Sequence, residues 1–154
     1  MAVPQTDLTR IADALTGLFR AGHASRMHER VAADAGVTID RTGMGMLFRV
    51  AGAGHARVSD LAGMLGLDIS TTSRKAQELE AAGLLVRTED PNDRRASALS
   101  LTPEGKQILG RLKKARMRSL EQLLADWSHE DRTRLAELLE RLVDDMTRPS
   151  QGRC

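Results

Sequence analysis

The 154-residue sequence predicts a mainly α-helical chain with one small β-hairpin. Three observations carry that expectation. Apolar residues recur at steps of three and four through most of the chain, the period of a helix with one buried face. Polar caps and glycines cut the pattern into segments of ordinary helix length. One stretch breaks the period: Leu84-Leu85-Val86-Arg87-Thr88, the turn-rich Glu89-Asp90-Pro91-Asn92-Asp93, and the alternating residues Ala96 to Leu101 read as two strands around a turn.

The elements follow in order. Leu8, Ile11, Leu15 and Leu18 start a first helix that is expected to run on through Met27 and Val31 until Gly36 stops it. Asp40 caps a second, with Met44, Leu47, Phe48 and Ala51 on one face and Gly52 and Gly54 at its end. Ser59 is expected to cap a short third helix holding Leu61, Ala62 and Leu65, closed by Gly66. Asp68 caps a fourth, with Ile69, Thr72, Ala76 and Leu79 turned inward and Gly83 closing it. After the hairpin, Thr102-Pro103-Glu104 supplies a cap, a proline at the first helical position and an acid in the first turn. The long helix that follows carries Ile108, Leu112, Ala115, Leu120, Leu123 and Trp127 on one side. Ser128, with Asp131 three residues on, caps the last helix, whose stripe is Leu135, Leu138, Leu139, Leu142, Val143 and Met146.

Residues 1–154 are thus expected to form a single domain, with a compact lobe over 40–102 between outer helices at 5–35 and 103–147. The outer stripes are larger than the lobe can cover. Such stripes predict dimerisation helices that pack against a second copy.

Composition removes several functions. The chain has 23 basic and 21 acidic residues, a net +2, so bulk charge announces no nucleic-acid partner. Phe19, Phe48 and Trp127 are its only aromatics, too few for a base-stacking platform or an aromatic cage. The single cysteine, Cys154, allows no disulfide framework within the chain and no thiolate zinc cluster, and a tail thiol is expected to be inert. His23, His28, His55 and His129 stand on separate segments without a carboxylate cluster, so no metal site is expected. No glycine-rich phosphate loop and no nucleophile with its base are present, so no catalytic residue, no cofactor and no enzyme activity are expected. The start does not resemble a signal peptide and no run is long enough to span a bilayer, which predicts a cytoplasmic protein without a membrane partner.

Two short helices joined by a tight turn, followed by a hairpin, make a winged helix-turn-helix. The outward face of the fourth helix presents Ser70, Arg74 and Gln77, with Thr71 and Lys75 on its flanks. Hydroxyls reach phosphates or base edges, an amide can read adenine, and an arginine can read guanine with two hydrogen bonds. A polar outer face is also what any solvated helix shows. The hairpin tips the balance, because Arg94 and Arg95 at or just past its turn suit the negative potential of a narrow minor groove. Asp93 either forms the turn, its commoner use, or steers an arginine by an ion pair. The cations of the long helix spread around it, and Arg111, Lys114 and Arg118 read as a solvated face.

The segments Leu67-Asp-Ile-Ser-Thr-Thr-Ser-Arg74, Leu79-Glu-Ala-Ala-Gly-Leu-Leu-Val-Arg87, Asp90-Pro-Asn-Asp-Arg-Arg95 and Leu101-Thr-Pro-Glu-Gly105 resemble the MarR (multiple antibiotic resistance regulator) family. The family's wing signature, Asp-x-Arg followed after five residues by Leu-Thr, is matched by Asp93, Arg95, Leu101 and Thr102, and Ser59-Asp-Leu-Ala62 fits its third helix. The resemblance implies major-groove contacts by Ser70, Thr71, Arg74 and Lys75, a minor-groove contact by Arg95 oriented by Asp93, a phosphate contact by Arg94, and Ser59 near the backbone. It implies a homodimer on a pseudo-palindromic double-stranded operator, usually repressing, and released by a small aromatic or lipophilic effector. The effector would lie between the lobe and the dimer helices, where Met44, Phe48 and His23 could approach it, although core packing is the ordinary role of such a Met and Phe. The alternative is a winged-helix module that binds protein and no DNA.

Overall fold

The computed structural model describes residues 4–148. The elements run α1 (Gln5–Phe19), α2 (Ala21–Ala35), α3 (Arg41–Ala53), α4 (Val58–Leu65), α5 (Ile69–Ala81), β1 (Leu85–Asp90), β2 (Asp93–Leu101), α6 (Pro103–Leu123) and α7 (His129–Thr147). The chain gathers into two compact units, divided between Ser119 and Leu120.

The core of the first unit is built around α3. Met46, Leu47 and Val50 are fully buried there, among Val31 and Ala35 of α2, Leu61 of α4, Ala76 and Leu79 of α5, Leu85 and Leu99 of the hairpin, and Ile108, Leu112 and Ala115 of α6. A single apolar face undercounts such a helix. Phe48 and Ala51, expected on the buried face, are only half-buried, because α3 is enclosed on more than one side.

The expected first helix is two. Arg20 takes an extended conformation (φ −54°, ψ 124°) between α1 and α2. Gly17 and Gly22 weaken the helix on either side of the break. The break separates two burial patterns, since α1 buries no residue while α2 turns Val31, Ala32 and Ala35 into the core.

The expected caps at Asp40, Asp68, Thr102 and Ser128 form, each accepting a backbone N–H of its first turn. Ser59 does not cap α4. The helix begins at Val58 with Arg57 at the cap position, and Ser59 lies exposed in its first turn. The cause lies across the fold: Ala56 exchanges backbone hydrogen bonds with Leu99 at 3.0 and 2.9 Å, a one-residue bridge that fixes where the helix starts. Ile69 is likewise not inward but 61% exposed. The packed positions of α5 begin one turn in, at Thr72, whose Oγ1 donates to the Asp68 carbonyl at 2.8 Å.

β1 and β2 pair antiparallel from Leu85↔Leu101 to Glu89↔Ser97, with a tighter turn and longer strands than expected. The register then slips before the last pair, Asp90↔Asp93, so Arg94, Arg95 and Ala96 fall in the irregular step. A bulge of this kind increases local twist and re-aims side chains.

In α6, Arg111 and Arg118 are more than a solvated face. Arg111 Nε donates to the Ala35 carbonyl at 2.8 Å and its Nη2 to the Gly36 carbonyl at 2.9 Å, while Arg118 Nη2 donates to the Asp34 carbonyl at 3.4 Å. The last carbonyls of α2 lack helical partners and carry partial negative charge, which draws both guanidinium groups to them. Ile108, Leu112 and Ala115 are buried as expected, but Leu123 is 61% exposed and Trp127 lies beyond the helix end.

Two stripes remain open. Leu8, Ile11, Leu18 and Phe19 of α1 are exposed, and α7 exposes Leu138, Leu139, Leu142, Val143 and Met146. No helix among the described residues is long and apolar enough to cross a membrane.

Candidate nucleic-acid interface

The geometry is set by the turn between α4 and α5. Gly66 adopts φ +65°, and the Leu67 N–H returns to the Ala62 carbonyl at 3.0 Å, so α4 stops sharply and α5 begins after a turn of three residues. Glycine suits the left-handed position because a Cβ there would crowd the backbone.

Asp68 organises the start of α5. Its Oδ1 accepts from the Thr71 amide at 2.7 Å and from Ser70 Oγ at 2.5 Å, and its Oδ2 accepts from Thr71 Oγ1 at 2.7 Å. The Ser70 hydroxyl, then the Thr71 hydroxyl and amide, hold this carboxyl far below the usual carboxylate range. Ser70, Arg74 and Gln77 are exposed along the helix beyond it, and Thr71 is half-buried.

Lys75, expected on an open flank, is engaged. Its ammonium donates to Asp40 Oδ2 at 2.7 Å and also to Glu78, tying α5 to the cap of α3. The Asp40 contact, then Glu78, raises the Lys75 pKa. Burial opposes ionisation of Asp40, yet Lys75 and the Gly43 N–H outweigh it and hold its carboxyl below the usual value.

The hairpin is fastened in two places. Arg87 meets Glu80 of α5 with two parallel contacts of 3.2 Å. At the tip, Arg57 Nε donates to Asp90 Oδ2 at 2.5 Å, and its Nη2 lies 3.6 Å from Asp93 Oδ2. Asp93 therefore does both things expected of it, with a change of partner. It shapes the turn by accepting the Arg95 backbone N–H at 3.1 Å, and the arginine whose guanidinium it meets is Arg57. The Arg95 side chain is exposed. The side chains of Arg94 and His23, and all of Cys154, lie outside the described residues.

Arg57 was invisible in the sequence, since its partner Asp90 stands 33 residues away. Asp90 is 3% exposed and also accepts the Asn92 N–H at 2.7 Å. The Arg57 contact, then that N–H, lowers its pKa against the opposing effect of burial. A depressed folded-state pKa contributes stability that is complete above the unfolded value of 3.8 and is lost as pH falls through the lower folded value. A carboxyl-carbon NMR titration is expected to place the Asp90 midpoint below 3.8, with hairpin amide protection falling as the pH drops from 3.8 through that midpoint. A midpoint at or above 3.8 would contradict the clamp.

Met44 is core, and Phe48 is half-buried with the Arg116 guanidinium 5.8 Å from its ring centre. An open groove of about 620 Å³ lies beside the end of α3, lined by Ala51, Leu101 and Leu109 with Lys106 and Lys113. Among the described residues, no three His, Cys, Asp or Glu side chains gather to hold a metal.

Comparison with known proteins places this geometry. The MarR family model matches residues 41–97, from the start of α3 into β2. Over this segment the chain is similar to the MarR family. The HTH-type transcriptional regulator YxaD of Bacillus subtilis is 44% identical over 89 residues, covering 58% of this chain and 62% of that protein. A putative transcriptional regulatory protein for the hcr operon of Thauera aromatica is 38% identical over 98 residues, covering 64% and 59%. The chain thus spans about three-fifths of the length of these two relatives, and both are named as regulators of transcription. A MarR family protein from Bacillus stearothermophilus has the same fold, with a TM-score of 0.82, 20% identity, and coverage of 96% of this chain and 100% of that one.

Proposed function

We propose that the protein is a sequence-specific regulator of transcription that binds a pseudo-palindromic double-stranded DNA operator as a homodimer, in the cytoplasm, where that DNA lies. One observation carries the reading. Of the described cations on α5 and the hairpin, Lys75 and Arg87 are spent on internal pairs, whereas Arg74 and Arg95 stand exposed outside every ion pair among the described residues. Those two belong to the helix and the hairpin that a winged helix-turn-helix offers to the major and minor grooves.

In this reading 40–102 is the DNA-binding lobe, and 5–35 and 103–147 supply the dimerisation surface. The open stripes of α1 and α7 support it, since apolar rows of that length call for a partner. The sense of regulation is repression, relieved by a small aromatic or lipophilic effector. The groove beside Lys106 and Lys113 has the cations and the leucine floor that a lipophilic anion would need.

Selection of bound fragments from random double-stranded DNA tests the reading directly, with a recovered palindrome as the expected result. Operator affinity should fall steeply with salt, by about 0.9 log units per log unit of salt for each phosphate neutralised. Failure to retain any DNA at low salt, with a protein partner captured instead, would favour an interaction module.

A further inference from the structure

Ser70 and Thr71 lie at the start of the exposed face of α5, and each hydroxyl has one hydrogen to give. Both hydrogens point at the same carboxylate. Ser70 Oγ is 2.5 Å from Asp68 Oδ1 and Thr71 Oγ1 is 2.7 Å from Asp68 Oδ2. An ionised carboxylate carries no hydrogen, so each hydroxyl must be the donor, and each oxygen is left with lone pairs alone. The hydroxyl of Thr72 is committed elsewhere, donating to the Asp68 carbonyl from a buried position.

We propose that Asp68 sets the hydrogen-bonding polarity of this helix face, turning Ser70 and Thr71 into acceptors that read the exocyclic amines of adenine or cytosine in the major groove. The proposal rests on the DNA-binding reading and sharpens it. In the major groove the donors are adenine N6 and cytosine N4, whereas guanine N7 and O6, adenine N7 and thymine O4 all accept. Phosphate oxygens accept as well, so neither hydroxyl can serve the backbone while it faces Asp68. The carboxylate charge also disfavours close approach of a phosphate at this end of the helix. Ser70, exposed, leads the readout and half-buried Thr71 supports it. Arg74, one turn further along the same face, supplies the complementary donors for guanine. The face therefore distinguishes amino from keto bases on one strand at the Ser70 position, and it does so through a residue that touches no base.

The test uses the full chain in parallel selections from random double-stranded DNA, with wild type, Asp68→Asn and Ser70→Ala. The wild type should enrich adenine or cytosine over guanine or thymine about tenfold at one position of each half-site. In Asp68→Asn the retained oxygen can still cap the Thr71 N–H and accept from Ser70, but an NH2 takes the place of Oδ2 and frees the Thr71 hydroxyl hydrogen. The amino preference should fall there by the part that Thr71 supports, while the rest of the recovered motif persists. Ser70→Ala leaves the cap untouched and should erase the preference at the same position, so the proposal stays testable if Asp68→Asn folds poorly. An unchanged preference in Ser70→Ala, or in folded Asp68→Asn, would overturn the polarity assignment with DNA binding intact. Recovery of no motif by the wild type would overturn the DNA-binding reading and this inference together.

Discussion

Gly105→Ala should cost the first unit about 1–2 kcal/mol of stability. A Cβ at Gly105 would stand 2.1 Å from the Leu84 carbonyl oxygen, 3.0 Å from its carbon and 3.2 Å from Leu101 Cδ2. The first of these is far inside any tolerated contact, and its partner is backbone. That carbonyl is also pinned, because it accepts the Thr102 N–H at 3.1 Å and lies 3.3 Å from Thr102 Oγ1. Moving α6 away would break the Thr102 cap on the Gly105 N–H, and moving the hairpin would disturb the Leu85↔Leu101 pair at its base. Overpacking of this kind costs about 1–3 kcal/mol and sometimes more. The gain from replacing a helical glycine is only about 1 kcal/mol, so the sum is destabilising. Gly110→Ala, in the same helix with nothing within 4 Å of its Cβ, should by contrast be neutral or stabilising. Urea denaturation at unchanged slope measures both. Equal midpoints for the two variants would show that α6 and the hairpin are free to separate.

Local chemistry was legible in the chain, and distant pairing was not. Asp40, Asp68, Thr102 and Ser128 were readable as caps because a cap and the N–H it receives lie within three residues. The positive φ of Gly36, Gly66 and Gly83 was readable for the same reason. Ser59 misled because its competitor, the bridge between Ala56 and Leu99, is 43 residues across. The grip of Arg111 on the end of α2 spans 75 and 76 residues, and no periodicity along α6 reveals it.

The site divides in the same way. Hydroxyls, an amide and arginines on one helix face were visible, as was the arginine pair near the hairpin tip. Which cations are already taken was not visible, since Lys75 is claimed by Asp40, 35 residues back. The hydroxyl polarity did have a sequence signal. An aspartate two and three residues before a serine and a threonine, at the start of a helix, is the spacing at which one carboxylate can hold both.

On the proposed reading of a dimer bound to an operator, Arg95→Ala should lower affinity by about 10-fold to 100-fold, because each protomer would then meet the minor groove without its arginine. Arg57→Ala should lower it as well, although the role assigned to Arg57 is to hold the hairpin rather than touch DNA. Without that guanidinium, Asp90 keeps a buried carboxylate whose charged partner is gone, and Asp93 is left without the cation 3.6 Å away. Both aspartates bound the turn that leads into the irregular step carrying Arg95, so the tip no longer has a fixed direction. Arg57→Lys should recover only part of the affinity, because a single ammonium cannot reproduce a planar fork facing two carboxylates. The decisive quantity is the coupling. If Arg57 acts by aiming Arg95, the double variant should lose much less affinity than the product of the two single losses, because a misdirected hairpin leaves Arg95 little to contribute. Simple multiplication of the losses would instead make the clamp and the minor-groove arginine independent, and Arg57 would then have to act through some other part of the lobe.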